Sequence, residues 1–215
     1  MEQPERAHAI LSPSAADRLM TCLGSTLLTK DEPESENEYS KEGVDYHELA
    51  AVVLEDENPE ASALEYVGHE LPSGRVVTEE NAEFLQKGYI DYVRLYAAEG
   101  TLLIEEKFPI DHLTGEPGAK GTADAVVIRP DPELIIVDLK FGRGGEVSAE
   151  QNRQMKTYAL GVIRKHDLAE VITTVRMVIC QPRTGDGKPK EWVIGIVELL
   201  AFGEEQKRIA KKIVV

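Results

Sequence analysis

Asp138 and Lys140 stand two residues apart at the end of the apolar run Leu134-Ile135-Ile136-Val137. On a strand both side chains leave one face, while Leu139 between them points to the other. A carboxylate is thereby presented beside an ammonium group. Asp124 interrupts a second apolar run, Ala123–Ile128, and the turn signal Arg129-Pro130-Asp131-Pro132 lets the two runs form a hairpin. Two carboxylates on neighbouring strands suit Mg²⁺ or Mn²⁺, hard cations that take oxygen ligands and retain waters. Such an ion acidifies water and neutralises a scissile phosphate, with Lys140 placed to orient the nucleophile or stabilise developing charge. Spacing alone fits an ordinary Asp–Lys ion pair at a strand end just as well.

His47 shares a helical face with Ala50, Ala51 and Leu54, so it points toward protein. A lone His so placed is more often a hydrogen-bonded core residue, and it becomes a metal ligand only if its helix packs over the Asp124 and Asp138 edge. Gln154 and Tyr158 are four apart and share one face of the helix expected after the Asp138 strand. Their polar ends can reach one object, whether a phosphate, a base or the Lys140 region. Arg143, Arg153, Lys156, Arg176, Arg183, Lys188 and Lys190 can supply a positive track for a nucleic-acid backbone, although scattered Lys and Arg are usually plain surface residues.

These residues need elements to hold them. Ser12-Pro13-Ser14 reads as a capped helix start leading to Leu19, Met20 and Leu23, and Asp31–Ser40 as a polar loop. Helical periodicity returns over Glu42–Glu55 and again over about Thr78–Ala98. Beyond Gly100 the pattern changes to short β-type runs: Leu102–Phe108, Thr122–Ile128, Leu134–Lys140, Val175–Cys180 and Trp192–Val197. A helix over Ser148–Arg164 separates the third from the fourth, with Ser148-Ala149-Glu150-Gln151 in the form of a capping box and Met155, Ala159 and Val162 on its apolar face. A polar helix, Glu204–Lys212, is expected at the periphery. Strands around a crossover helix imply an α/β fold, a mixed sheet of about four to five strands flanked by helices. We expect one integrated unit, with residues 1–100 forming a helical region that carries His47 and residues 101–215 the sheet core.

The chain has 215 residues and a formal net charge of −15, which at first opposes nucleic-acid binding. The charge is uneven: residues 1–139 carry 10 Lys+Arg against 30 Asp+Glu, and residues 140–215 carry 14 against 9. Only the C-terminal third can offer a phosphate-binding face. No apolar run is long enough to span a membrane, and Cys22 and Cys180 form neither a disulfide framework nor a metal-binding pair. A cytoplasmic protein is expected.

In order along the chain, Leu11-Ser12-Pro13-Ser14 to Cys22, Glu42-Gly43-Val44-Asp45-Tyr46-His47-Glu48-Leu49, Gly121-Thr122-Ala123-Asp124-Ala125, Val137-Asp138-Leu139-Lys140-Phe141-Gly142, Gln154-Met155-Lys156-Thr157-Tyr158 and Gln181-Pro182-Arg183 together resemble the RecB-like branch of the PD-(D/E)XK nuclease superfamily, and closely a phage and prophage family within it. The resemblance implies a restriction-endonuclease-like core. It implies that His47, Asp124, Asp138 and the backbone carbonyl of Leu139 hold Mg²⁺ or Mn²⁺, and that Lys140 is the catalytic lysine. Gln154 and Tyr158 would then support the site or the DNA strand.

The implied activity is DNA phosphodiester hydrolysis, from an end or on a single strand, in phage recombination, replication or repair. The setting is the bacterial host cytoplasm, beside a phage recombination or replication protein. Many relatives add an iron–sulfur cluster through a cysteine at the position of Cys22 and three more near the C-terminus. That trio is missing, so the sequence reads either as a fragment or as a shortened form that dispenses with the cluster; no cluster is expected in this chain and Cys22 reads as a buried small residue. The missing cysteines also motivate an alternative, a DNA-binding or partner-binding module that keeps the nuclease fold with little or no turnover.

Overall fold

The computed structural model describes residues 11–22 and 38–213. A 3₁₀ turn, Pro13–Ala15, runs into α1 (Ala16–Thr21). The Ser12 side chain makes no capping bond, contrary to expectation; its hydroxyl lies 3.2 Å from that of Ser14. α2 (Glu38–Glu55) begins inside the segment expected to be a loop, the rest of which lies outside the described residues, as does Leu23. α3 (Glu79–Leu85) is capped by the Thr78 hydroxyl, which accepts from the Asn81 N–H at 3.2 Å. It continues through a π turn, Gln86–Ile90, into α4 (Asp91–Ala97). Gly88 sits within that turn because a Cβ there would overlap the Pro182 ring.

The five strands are β1 (Thr101–Pro109), β2 (Lys120–Ile128), β3 (Glu133–Leu139), β4 (Thr174–Cys180) and β5 (Lys190–Gly195), with the short helix α5 (Asp111–Thr114) between the first two. They form one mixed sheet in the order β1-β2-β3-β4-β5. Every neighbour is antiparallel except β3 and β4, which are parallel and joined by the crossover helix α6 (Arg153–His166). β5 leads directly into α7 (Ile196–Ile213). The protein is thus the expected α/β fold with a five-stranded mixed sheet flanked by helices.

All seven residues of β3 are buried, because helices cover both faces of the sheet. Ile135, Val137 and Leu139 pack with Tyr46, Leu49 and Val53 of α2 and with α3 and α4. Leu134 and Ile136 pack on the other side with Met155, Ala159 and Val162 of α6 and Leu199 of α7. Each such aliphatic side chain stabilises by roughly 1.5–3 kcal/mol relative to exposure.

Two further helix boundaries differ from expectation. α6 starts at Arg153, since Gln151 adopts a left-handed φ of 54° and the Ser148 hydroxyl satisfies the nearby Glu150 N–H. Asn152 is its actual cap, accepting from the Met155 N–H at 3.1 Å. α7 starts eight residues before Glu204 and is not peripheral: Leu199, Gly203, Gln206 and Ala210 are buried, and Gln206 meets Thr157 of α6 at 3.3 Å.

Candidate metal centre

The sheet forks where the two aspartates stand. Among the described residues, pairing of β2 with β3 ends at Ala125–Val137. Beyond it β3 stays with β4 through Asp138–Ile179 and Leu139–Cys180, while β2 stays with β1 down to Lys120–Pro109. In place of the next ladder bond, the Asp124 carboxylate accepts the Leu139 N–H at 2.7 Å. This is the contact the structure gives Leu139 at the site, through its N–H.

His47 reaches the fork from α2, with Nδ1 3.2 Å from Asp124 Oδ1. Its helix is fastened by side chains from two other motif segments, Phe141 and Arg183, and by Asn81 and Ser73. Tyr46 stacks on Phe141 with ring centroids 4.0 Å apart, and its hydroxyl accepts from Asn81 Nδ2 at 3.0 Å. Glu42 pairs with Arg183 at 2.9 Å, and that guanidinium lies 5.0 Å from the Phe141 ring centroid. Asp45 accepts from the backbone and hydroxyl of Ser73. Burial pulls the His47 imidazole down, but the charge and hydrogen bond of Asp124, helped by Asp138, outweigh it and leave the ring above its ordinary value.

Asp138 is buried, with a side chain only 3% exposed, and Lys140 Nζ lies 2.9 Å from its Oδ2. The approach is close enough for an ion pair but is not aligned as a hydrogen bond, so that oxygen has no hydrogen-bond partner among the described residues. Burial pushes the Asp138 carboxyl up to about 6, with Asp124 adding to the rise and Lys140 opposing it. Burial lowers Lys140, yet Asp138 more than offsets this and holds the ammonium above its ordinary value. Gln154 completes a relay: Lys140 Nζ donates to its Oε1 at 3.4 Å, and its Nε2 donates to the Tyr158 hydroxyl at 2.6 Å. Phe108 meets the Tyr158 ring edge-on at 5.6 Å. Desolvation pushes the Tyr158 phenol far up, so it stays protonated.

One acidic neighbour carries no signal in the sequence. His47, Glu105 and Asp124 each offer a ligand atom within 4.8 Å of the other two, whereas Asp138 stands with Lys140 outside that group. Glu105 lies in register with Asp124, between the pairs Ile104–Ala125 and Glu106–Ala123, and has a left-handed φ of 47°. Although Glu105 is exposed, partial desolvation and the Asp124 charge push its carboxyl up. In the sequence, Glu105-Glu106-Lys107 reads as the wet part of a strand; only the β1–β2 register, set across the loop that contains α5, reveals its neighbour.

The donor chemistry fits a hard divalent cation: an imidazole nitrogen, carboxylate oxygens and a buried carboxylate oxygen lacking a hydrogen bond. Two sequence expectations need correction. Cys22 is exposed, not buried, because it lies just past the end of α1. Most of the expected positive track is engaged within the protein. Arg176 pairs with Glu133 and Glu191, Arg183 with Glu42, Lys190 with Glu146, and Arg153 with Asp17. Lys156 is buried, its ammonium over the Trp192 and Phe202 rings at 4.9 and 5.0 Å.

Fold and site together define an α/β protein with a candidate metal centre at a fork in its sheet. The chain belongs to the family described as "Protein of unknown function (DUF2800)", whose model matches residues 8–214. A solved structure described as "Crystal structure of SSO0001" is similar over 90% of this chain and 86% of its own, at 12% identity and a TM-score of 0.27. Among the described residues no helix is long and apolar enough to cross a membrane.

Proposed function

We propose that this chain is a divalent-metal-dependent deoxyribonuclease of the RecB-like PD-(D/E)XK kind, cutting DNA from ends or on single strands in phage recombination, replication or repair within a bacterial cytoplasm. The observation that carries this reading is the meeting of His47, Asp124, Asp138 and Lys140 from three separate segments at one fork. A bound Mg²⁺ or Mn²⁺ would supply charge neutralisation at the scissile phosphate and acidify the attacking water.

The residues present do the rest. His47 and Asp124 would hold the cation, with the Leu139 N–H fixing the Asp124 carboxylate, and Asp138, paired with Lys140 at the same fork, would join them only by turning toward the ion. Lys140, kept charged by Asp138, acts as a donor to the nucleophile or to a phosphate oxygen and not as a base. Gln154 and the protonated Tyr158 limit the directions Lys140 can take. Labelled linear and circular DNA incubated with Mg²⁺ or Mn²⁺ tests this. Asp138→Ala and Lys140→Ala should each slow cleavage by at least about 10²-fold, the scale of losing one preorganised electrostatic group. Wild-type rates in either variant would remove the proposed centre.

A second reading is a module with little turnover that binds a protein partner more readily than DNA, favoured by the internal pairing of Arg176, Arg183 and Lys190, which keeps them from phosphates. Uptake of Mn²⁺ with neither DNA binding nor cleavage under the same conditions would select it.

A further inference from the structure

We infer that Glu105 is a protein ligand of the divalent cation, forming with His47 and Asp124 the group that grips it. The inference rests on the metal-dependent reading above. Ligand atoms bound at about 2.1–2.4 Å from one ion lie no more than about 4.8 Å apart, and the three residues meet that limit before any side chain moves.

The backbone supports the same assignment. β1 and β2 pair on both sides of Glu105 without a change of register, so the left-handed φ of 47° re-aims one residue alone. A residue with a Cβ avoids that region in a strand interior, and such outliers persist where the surrounding fold imposes them, commonly at ligand sites. The re-aimed carboxylate lies against that of Asp124, where two like charges repel unless a cation joins them. Asp138 Oδ2, buried at the same fork, has the Lys140 ammonium 2.9 Å away but no aligned hydrogen bond, so the fork holds more carboxylate oxygen than its one ammonium satisfies. Glu105 thus adds the first strand to a centre otherwise built from α2, β2 and β3.

The test is Mn²⁺ titration of the full chain by calorimetry, with electron paramagnetic resonance of the bound ion as a second readout. Glu105→Gln should weaken Mn²⁺ binding at least about tenfold, the lower end of what even an outer-shell partner costs. Glu48→Gln, an exposed change on α2, should leave it unaltered. Glu105→Gly, which accepts the left-handed φ, should melt in EDTA at or above the temperature of Glu105→Ala yet bind Mn²⁺ as poorly, separating lost ligation from lost fold. Wild-type affinity in Glu105→Gln, with binding lost in Asp124→Asn, would overturn the role of Glu105 and leave the metal reading standing. Glu105-dependent binding in a protein that cuts no DNA would support this inference while overturning the nuclease. A wild-type chain that takes up no Mn²⁺ would overturn both.

Discussion

Burying Asp138 beside a second aspartate is unfavourable for a carboxylate unless a cation compensates, and Lys140 does so only in part. The folded carboxyl is raised from 3.8 to about 6. A raised folded value means that the folded state holds this proton more tightly than the unfolded chain. The stabilisation is therefore fully present below about pH 4 and is lost as pH rises through about 6. For a shift of two units it amounts to roughly 3 kcal/mol. Asp138→Asn cannot lose that proton, so in EDTA its stability relative to wild type should improve between pH 4 and 7 by an amount approaching this figure. Urea unfolding at a series of pH values reads the difference directly; a constant offset across the range would show that Asp138 is not the group responsible. Added Mn²⁺ should stabilise both proteins through His47, Glu105 and Asp124, and wild type the more above pH 6, where the ionised Asp138 carboxylate at the same fork adds its attraction.

α2 sits over the fork because of contacts made by one of its faces, and several are polar. Glu42 and Arg183 have side chains 10% and 5% exposed, so removing one leaves the other charged and nearly dry. Glu42→Ala should cost about 3–5 kcal/mol, whereas Glu42→Ala with Arg183→Met should cost clearly less. A double-mutant cycle in urea measures the difference, and simple additivity would show that the pair is not coupled. This clamp also explains what the sequence could and could not convey. Period-two and helical patterns were sufficient for the five strands and for α2, α3, α4 and α6, because apolar periodicity is a local property. Asp124, Asp138 and Lys140 stood out because charge interrupts or ends an apolar run. Glu105 did not, since its partner is set by register across a loop. Glu42 and Gln181 read as motif positions without roles, and Arg183 as part of a positive track, until their partners were visible: Gln181 accepts from the Val147 N–H at 2.7 Å and donates to the Gly145 carbonyl at 3.1 Å, fixing the loop after β3. The α6 boundary was misplaced because a serine hydroxyl serves a turn as readily as a helix cap.

Across the whole molecule, the formal charge of −15 must be reconciled with the polyanionic substrate proposed above. Arg153, Arg176, Arg183 and Lys190 each have an acidic partner within 4 Å, and Lys156 is buried against two aromatic rings. Few cations in the C-terminal third are therefore free to displace counterions from DNA, and on the proposed nuclease reading the bound metal would provide much of the attraction. Single-strand affinity falls with salt at a slope of about −0.7 per phosphate neutralised. With two to four such contacts, the plot of log affinity against log salt should have a slope between about −1.5 and −3. Fluorescence anisotropy from 50 to 200 mM salt, using Ca²⁺ to hold binding without turnover, measures it. EDTA should abolish most of the binding, and the slope should stay shallow in whatever remains. A slope steeper than about −5 would mean that seven or more phosphates are neutralised. The internal ion pairs would then have to open on contact with DNA, and substituting their acidic members, Glu133, Glu146 or Glu191, should strengthen binding in that case.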